Sequence, residues 1–323
     1  KRNHNLKNNI TPNHYDLFLK PDITNAVFSG EVKIQLTSLQ DFQNIELDAA
    51  EIDVITASIQ QNNRVFPLEF TLDEKNESIT FHCEEKIHKG ESNLNIKFSG
   101  ILNDRLRGFY ISKYTDENGV ENKLASTQFE PTDARRAFPC FDEPSQKATF
   151  SVSVTINTNH RAISNMPEEK EENNNDGTKT VWFTKTPIMS TYVLALVVGQ
   201  INCIEKTSDN GTLVRVWSTE GLENNGQYAL DVAIKILQYL EDYFGIKYPL
   251  PKLDHVAIPD FAAGAMENWG CITYREPALL FDSSNSSSST RQLVAEIIAH
   301  EMAHMWFGDL VTMHWWNDLW LNE

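Results

Sequence analysis

From residue 14 to about residue 217 the chain alternates apolar and polar positions with a period of two. His14 to Lys20 sets Tyr15, Leu17 and Leu19 on one face, and Glu31 to Thr37 does the same with Val32, Ile34 and Leu36. Similar runs recur at 45–48, 65–72, 78–83, 93–98, 148–156, 180–185 and 191–198. Successive side chains of a strand point to opposite faces, so each run predicts a half-buried strand. Polar clusters such as Asp73-Glu74-Lys75-Asn76 and Lys89-Gly90 mark turns between them. Many short strands with frequent turns predict an all-β domain over 1–217, a twisted sandwich or open saddle. The acidic stretch 168–178 reads as a solvated hairpin tip.

From about residue 218 the period changes. Tyr228 to Phe244 carries Leu230, Ile234, Leu237, Leu240 and Phe244 at helical spacing, Gly245 ends the helix, and Pro249 and Pro251 forbid its continuation. Leu253 to Ile258 and Cys271 to Tyr274 predict short strands flanking a glycine-bearing loop. The serine-rich stretch 282–290 predicts a flexible loop before a second helix. Ser289 and Gln292 fit a capping box at its start. Leu293, Val294, Ile297, Ile298, Met302, Met305, Trp306 and Phe307 make that helix apolar on nearly all sides, which predicts burial, and Gly308 is the expected stop. Mixed α and β after an all-β half predicts an α+β chain of two domains, 1–217 and 218–323.

Composition narrows the function classes. Apolar residues make up 41% of the 323 and charged residues 23%, ordinary for a globular chain. There is no apolar run long enough to span a membrane, and the polar N-terminal stretch lacks the apolar core of a signal peptide. A formal net charge of −17 argues against nucleic acid as a partner. The four cysteines are far apart and form no Cys-x-x-Cys pair, so free thiols are expected.

Chemistry enters at His300-Glu301-Met302-Ala303-His304, an H-E-x-x-H pattern. Residues four apart on a helix share a face, so His300 and His304 can aim two imidazole nitrogens at one point. Zinc takes nitrogen ligands at about 2.0–2.1 Å, a demand two such side chains can meet together. Glu301 lies about 100° around the helix, where it suits a base that takes a proton from a water activated by the metal. A catalytic zinc site keeps three protein ligands, and Glu323, with eighteen residues between it and His304, offers a third. Upstream, Gly264-Ala265-Met266-Glu267-Asn268 supplies a small-residue turn and one fixed anion.

H-E-x-x-H, eighteen residues and Glu, preceded by G-A-M-E-N, resembles the aminopeptidase N family of gluzincin metallopeptidases. The stretch 126–144, which contains Gln128, is similar to that family's segment between its N-terminal domain and the active-site groove. The stretches 187–199, 243–252, 260–275 and 300–323 resemble most closely its puromycin-sensitive branch, a largely cytosolic group. The resemblance implies an all-β saddle followed by a thermolysin-like peptidase domain. It implies one Zn2+ on His300, His304 and Glu323, with Glu301 as general base. Glu267 and Gln128 would hold a substrate's α-amino group, and the backbone of Gly264, Ala265, Met266, Glu267 and Asn268 would pair with the peptide. Partners would be peptides with a free N-terminus, and the location cytoplasmic. Met305 and Asp309 stand where many members carry Gln and Asn. Members continue past the third ligand, so a truncated peptidase domain is expected here, with the oxyanion-stabilising residue outside the sequence. A catalytically incomplete scaffold of the same family is the alternative expectation, and an endopeptidase is disfavoured by the amine anchor.

Overall fold

A computed structural model describes residues 9–323; residues 1–8, most of the polar N-terminal stretch, lie outside the described residues. In chain order the strands are β1 (Ile10–Asp22), β2 (Val27–Ser38), β3 (Phe42–Asp48), β4 (Ile52–Gln61), β5 (Arg64–Pro67), β6 (Glu69–Asp73), β7 (Ser78–Ile87), β8 (Gly90–Ile101), β9 (Gly108–Thr115) and β10 (Glu121–Gln128). They continue with β11 (Thr149–Asn157), β12 (Arg161–Ser164), β13 (Glu168–Asn173), β14 (Thr178–Phe183), β15 (Leu196–Gly199), β16 (Ile201–Thr207), β17 (Leu213–Thr219), β18 (Lys252–Ile258), β19 (Ala265–Met266) and β20 (Cys271–Arg275). The helices are α1 (Gln227–Phe244), α2 (Glu276–Leu279) and α3 (Ser288–Ala303). None is long and apolar enough to cross a membrane among the described residues.

The first half is built on an eight-stranded sheet ordered β13-β14-β11-β1-β2-β8-β4-β5. β1 lies between β2, antiparallel, and β11, parallel. The alternation expected for β1 and β2 is present: Tyr15, Leu17, Leu19, Val32, Ile34 and Leu36 are all buried. Each such burial contributes about 1.5–3 kcal/mol. Tyr15 stacks on Phe150 at 4.8 Å and meets Phe138 edge-on. A three-stranded sheet, β3-β7-β6, and a four-stranded one, β12-β15-β10-β9, complete this half. The latter ends β10 at Gln128.

The second half centres on a five-stranded sheet, β16-β17-β18-β20-β19, with β17, β18 and β20 parallel. Every residue of β18 is buried, as a central parallel strand between covered faces requires. α1 packs on β17 and on α3. Its expected stop holds: Gly245 caps it in the left-handed region, at φ 64°. The chain is therefore α+β, a mostly β half followed by mixed structure.

Several details differ from expectation. The run 65–72 is two strands in different sheets, β5 with β4 and β6 with β7. Within 191–198, residues Thr191–Val193 form a 3-10 turn and only the end is strand. The cap of α3 is Ser287, whose hydroxyl accepts from the Thr290 amide; Ser289 and Gln292 lie inside the helix. α3 is not buried all round. Val294, Ile298, Glu301 and Met302 face inward, whereas Leu293 is 51% exposed, because the helix packs on one side only, chiefly against α1 and α2. The helix closes at Ala303, five residues before the expected stop at Gly308. The expected boundary at 217/218 falls inside β17, which is hydrogen-bonded on both sides within the five-stranded sheet.

Candidate metal centre

α3 and the 3-10 turn Trp316–Leu321 bring the proposed ligands together. His300 lies in the last turn of α3, and His304 is the residue that caps it. Their Nε2 atoms are 3.0 Å apart. A carboxylate oxygen of Glu323 lies 3.2 Å from His300 Nε2 and 3.6 Å from His304 Nε2. His304 Nδ1–H donates to the Phe307 carbonyl at 2.9 Å, which leaves the Nε2 lone pair facing the other two groups. Two imidazole nitrogens and a carboxylate oxygen converging without a proton for each contact suit a cation. A tetrahedral ion with bonds of about 2.0–2.1 Å needs ligand atoms about 3.3 Å apart, and the three observed separations bracket that value. The residues present therefore fit zinc. His304 is buried, while the side chains of His300 and Glu323 are 50% and 43% exposed, so one flank of the centre is open.

On the closed flank stand carboxylates. Glu267, Glu301 and His304 offer ligand-type atoms within 4.8 Å of one another, all three residues buried. Glu267 follows β19, whose Met266 pairs with Thr273 of β20, and the Trp269 amide donates to the Val193 carbonyl. The anion is thus pinned on both sides. Asn268 Nδ2 donates to Thr273 Oγ1. Gly264 accepts from the Arg275 amide, and a Cβ there would meet no atom within 4 Å. Packing does not demand glycine at 264; the space beside this backbone is open, as approach of an extended ligand would require.

Half of the twelve buried side-chain atoms without hydrogen-bond partners among the described residues belong to Gln128, Glu267, Asn268, Glu301 and Asp309. Gln128 Oε1, Glu267 Oε1, Asn268 Oδ1 and Glu301 Oε2 are buried and unpaired, as are both carboxylate oxygens of Asp309. Buried polar groups are normally satisfied, so such a concentration marks a site that awaits partners. Burial, aided by the charge of Glu323, pushes the Glu267 carboxyl up to about 7. Burial likewise takes Glu301 to about 9, aided by Glu267, Glu323 and Glu130. Asp309 is pushed well above the usual range, by burial first and then by Glu267. Crowded carboxyls in a dry place are relieved by cations, and a metal ion or an ammonium would lower all of them.

Glu130 was not singled out in the sequence. Two residues beyond Gln128, it is half-buried, and burial with the charges of Glu267 and Glu323 raises it to about 8, while His304 pulls it down. It is thus a further acid facing the centre, beside Glu267, Glu301 and Glu323. The available signal was position alone: it lies close enough behind Gln128 for a strand end to deliver both. The turn that carries it is fixed by a buried ion cluster. Arg135 Nε donates to Asp142 Oδ2 at 3.0 Å, Asp48 lies 3.8 Å from Arg135 Nη1, and the Asp142 amide donates to Asp48.

Comparison with known proteins gives two successive matches. Residues 11–193 match the family described as Peptidase M1 N-terminal domain, and residues 228–323 match the Peptidase family M1 domain. Aminopeptidase M1-A of Oryza sativa subsp. japonica is 45% identical over 317 residues, 97% of this chain and 36% of its own length. Aminopeptidase 2, mitochondrial, of Saccharomyces cerevisiae is 45% identical over 324 residues, 98% of this chain and 33% of its own. Puromycin-sensitive aminopeptidase of Caenorhabditis elegans is 43% identical over 315 residues, 97% and 33%. The chain spans about a third of the length of the curated relatives it matches. With both parts of the family matched in order, and with a paired-histidine centre beside a buried acid cluster, this chain belongs to the peptidase M1 family.

Proposed function

We propose that this chain carries the metal-binding and amine-recognising part of a zinc aminopeptidase, which releases N-terminal residues from peptides. The observation that supports it best is the sharing of His304 between two groups, His300–His304–Glu323 and Glu267–Glu301–His304. A cation site and an anionic pocket for a second cation thus adjoin through His304.

His300, His304 and Glu323 would hold the metal. Bound there, zinc would polarise the first peptide carbonyl and acidify water. Glu301, with Oε2 unpartnered, would take the proton of the attacking water and hand it to the leaving amine nitrogen, so that it ends the cycle unchanged. Glu267 and Glu130 would bind the substrate's ammonium, with Gln128 Oε1 as a further acceptor. A fixed anion beside the metal site would register the peptide by its free end, so that cleavage falls after the first residue. The backbone of 264–268, with its open side at Gly264, would pair with the substrate chain. We place the start of the peptidase domain near residue 200, where β16 enters the five-stranded sheet. A cytoplasmic location accompanies the likeness to the puromycin-sensitive branch; the mitochondrial name of the yeast relative makes cell fractionation its test.

The test is Glu301→Gln in the complete protein, assayed on aminoacyl fluorogenic amides with zinc content measured in parallel. The expected result is a fall in kcat of about 10²–10⁴-fold with zinc retained. Full activity in the variant, or acetylated peptides cut as fast as free ones, refutes the reading.

A further inference from the structure

We propose that Tyr192, a residue of the β-rich half, positions the metal ligands Glu323 and His304 through a single shared phenol; this rests on the zinc reading above. Its hydroxyl donates to the Gly308 carbonyl at 3.2 Å and accepts from Asn322 Nδ2 at 3.2 Å. Asn322 immediately precedes Glu323. Gly308 immediately follows Phe307, whose carbonyl orients the His304 imidazole. One oxygen atom thus ties together the two chain segments that deliver the second and third ligands.

The clamp has a rigid base. Neighbouring Thr191 donates to Asp142 Oδ1 at 2.7 Å, within the cluster that holds Arg135. The Tyr192 ring meets Trp316 edge-on at 5.1 Å, at the start of the turn that leads to Asn322. Asn322 Nδ2 also reaches Met313 Sδ at 2.9 Å, so its amide is fixed from two sides. The phenol is buried, and burial together with the nearby carboxylates of Asp309, Glu267 and Glu130 keeps it protonated, hence always a donor. Without the clamp, nothing else hydrogen-bonds the Asn322 side chain to the first half of the chain among the described residues. Groups behind metal ligands typically account for about 10–100-fold in metal affinity.

The experiment measures zinc affinity by chelator competition, and the visible spectrum of the cobalt-substituted protein, for the complete wild-type protein, Tyr192→Phe, Asn322→Ala and the double variant. Tyr192→Phe keeps the ring contact with Trp316 and removes only the hydroxyl. It is expected to weaken zinc binding about 10–100-fold and to shift the cobalt bands. Asn322→Ala reads the same contact from the other side, so the double variant should lose far less than the product of the two singles. Tyr110→Phe is the control. It removes an equally buried phenol bond, to the Asp260 carbonyl at 2.9 Å, and should leave zinc affinity within about twofold. Tyr192→Phe with wild-type affinity and spectrum, or a control that falls as far, overturns the positioning role alone. A wild-type protein that takes up no zinc overturns the metal reading and this inference with it.

Discussion

Replacing Glu267 by Gln isolates the charge that the proposed mechanism uses to recognise a peptide's end. The substitution keeps the shape of the side chain and its pinned backbone between β19 and the Trp269–Val193 hydrogen bond. A carboxylate and an ammonium about 4 Å apart at an effective dielectric of about 20 attract by about 4 kcal/mol. Stripping water from both groups cancels part of this, and hydrogen bonds to charged groups contribute about 1.5–3 kcal/mol net. Because Glu267 Oε1 is already buried and unpaired, much of its dehydration cost falls on folding, which argues for the upper part of that range. Two ligands that differ only in the α-amine, an aminoacyl amide and its des-amino counterpart, should therefore differ in affinity for wild type by about 30–100-fold. For Glu267→Gln the ratio should shrink by about tenfold, with Glu130 retaining the rest. Isothermal titration of the metal-free proteins, which lack the metal the proposed hydrolysis needs, measures both ratios without turnover. Equal binding of the two ligands by wild type, or an undiminished ratio in the variant, would refute the assignment of Glu267 as the amine's partner.

Two further predictions concern the scaffold. His255 is buried against Tyr274, whose hydroxyl lies 2.9 Å from its Nδ1, and burial depresses it from 6.5 to about 4. The unfolded chain takes up a proton that the folded one refuses. Stability is therefore full above pH 6.5 and falls with acidification toward pH 4, by about 3 kcal/mol in all. Between pH 7 and 5, metal-free wild type should lose about 2 kcal/mol more unfolding free energy in urea than His255→Gln; equal losses would exclude the linkage. Arg135→Met strands Asp142 and Asp48 in the interior without their cation, and should cost about 3–5 kcal/mol. A loss below about 1 kcal/mol in the same urea titration would mean that the cluster is held by something else.

The proposed metal-binding trio was partly legible because helical spacing alone sets His300 beside His304, whereas the choice of Glu323 was reinforced by a resemblance that fixed the distance along the chain. Glu267 likewise needed its neighbours: five residues with one acid are common, and its burial is a property of the β19–β20 pair and the strands around it. Glu130 escaped notice because its role arises from the turn that folds 128–142 back toward the centre, set by contacts as remote in sequence as Asp48. The cap of α3 sits in a run of serines, any of which has the right chemistry; tertiary placement of the loop chooses Ser287. The breadth of apolar residues on α3 suggested full burial, yet Leu293 and Phe307 remain exposed. Periodicity reports what could be covered, not what covers it. The β16–β17 hairpin was not read from the sequence at all, and its sheet membership depends on β18 arriving in parallel beside it.

The place of β1 in the eight-stranded sheet also has a consequence for synthesis on the ribosome. β1, β2, β8, β4 and β5 are complete once residue 101 has emerged and can pair as an antiparallel platform, but the other edge of β1 must wait for β11, which begins at Thr149. At about 5–20 residues per second, β11 is finished roughly 3–11 s after β8. Throughout that interval β1 presents unpaired amides and carbonyls, the usual template for pairing with another nascent chain. Translation speed across residues 102–157 therefore sets how long the half-built sheet is exposed, and a pause there would lower the yield of native protein while leaving its final stability unchanged.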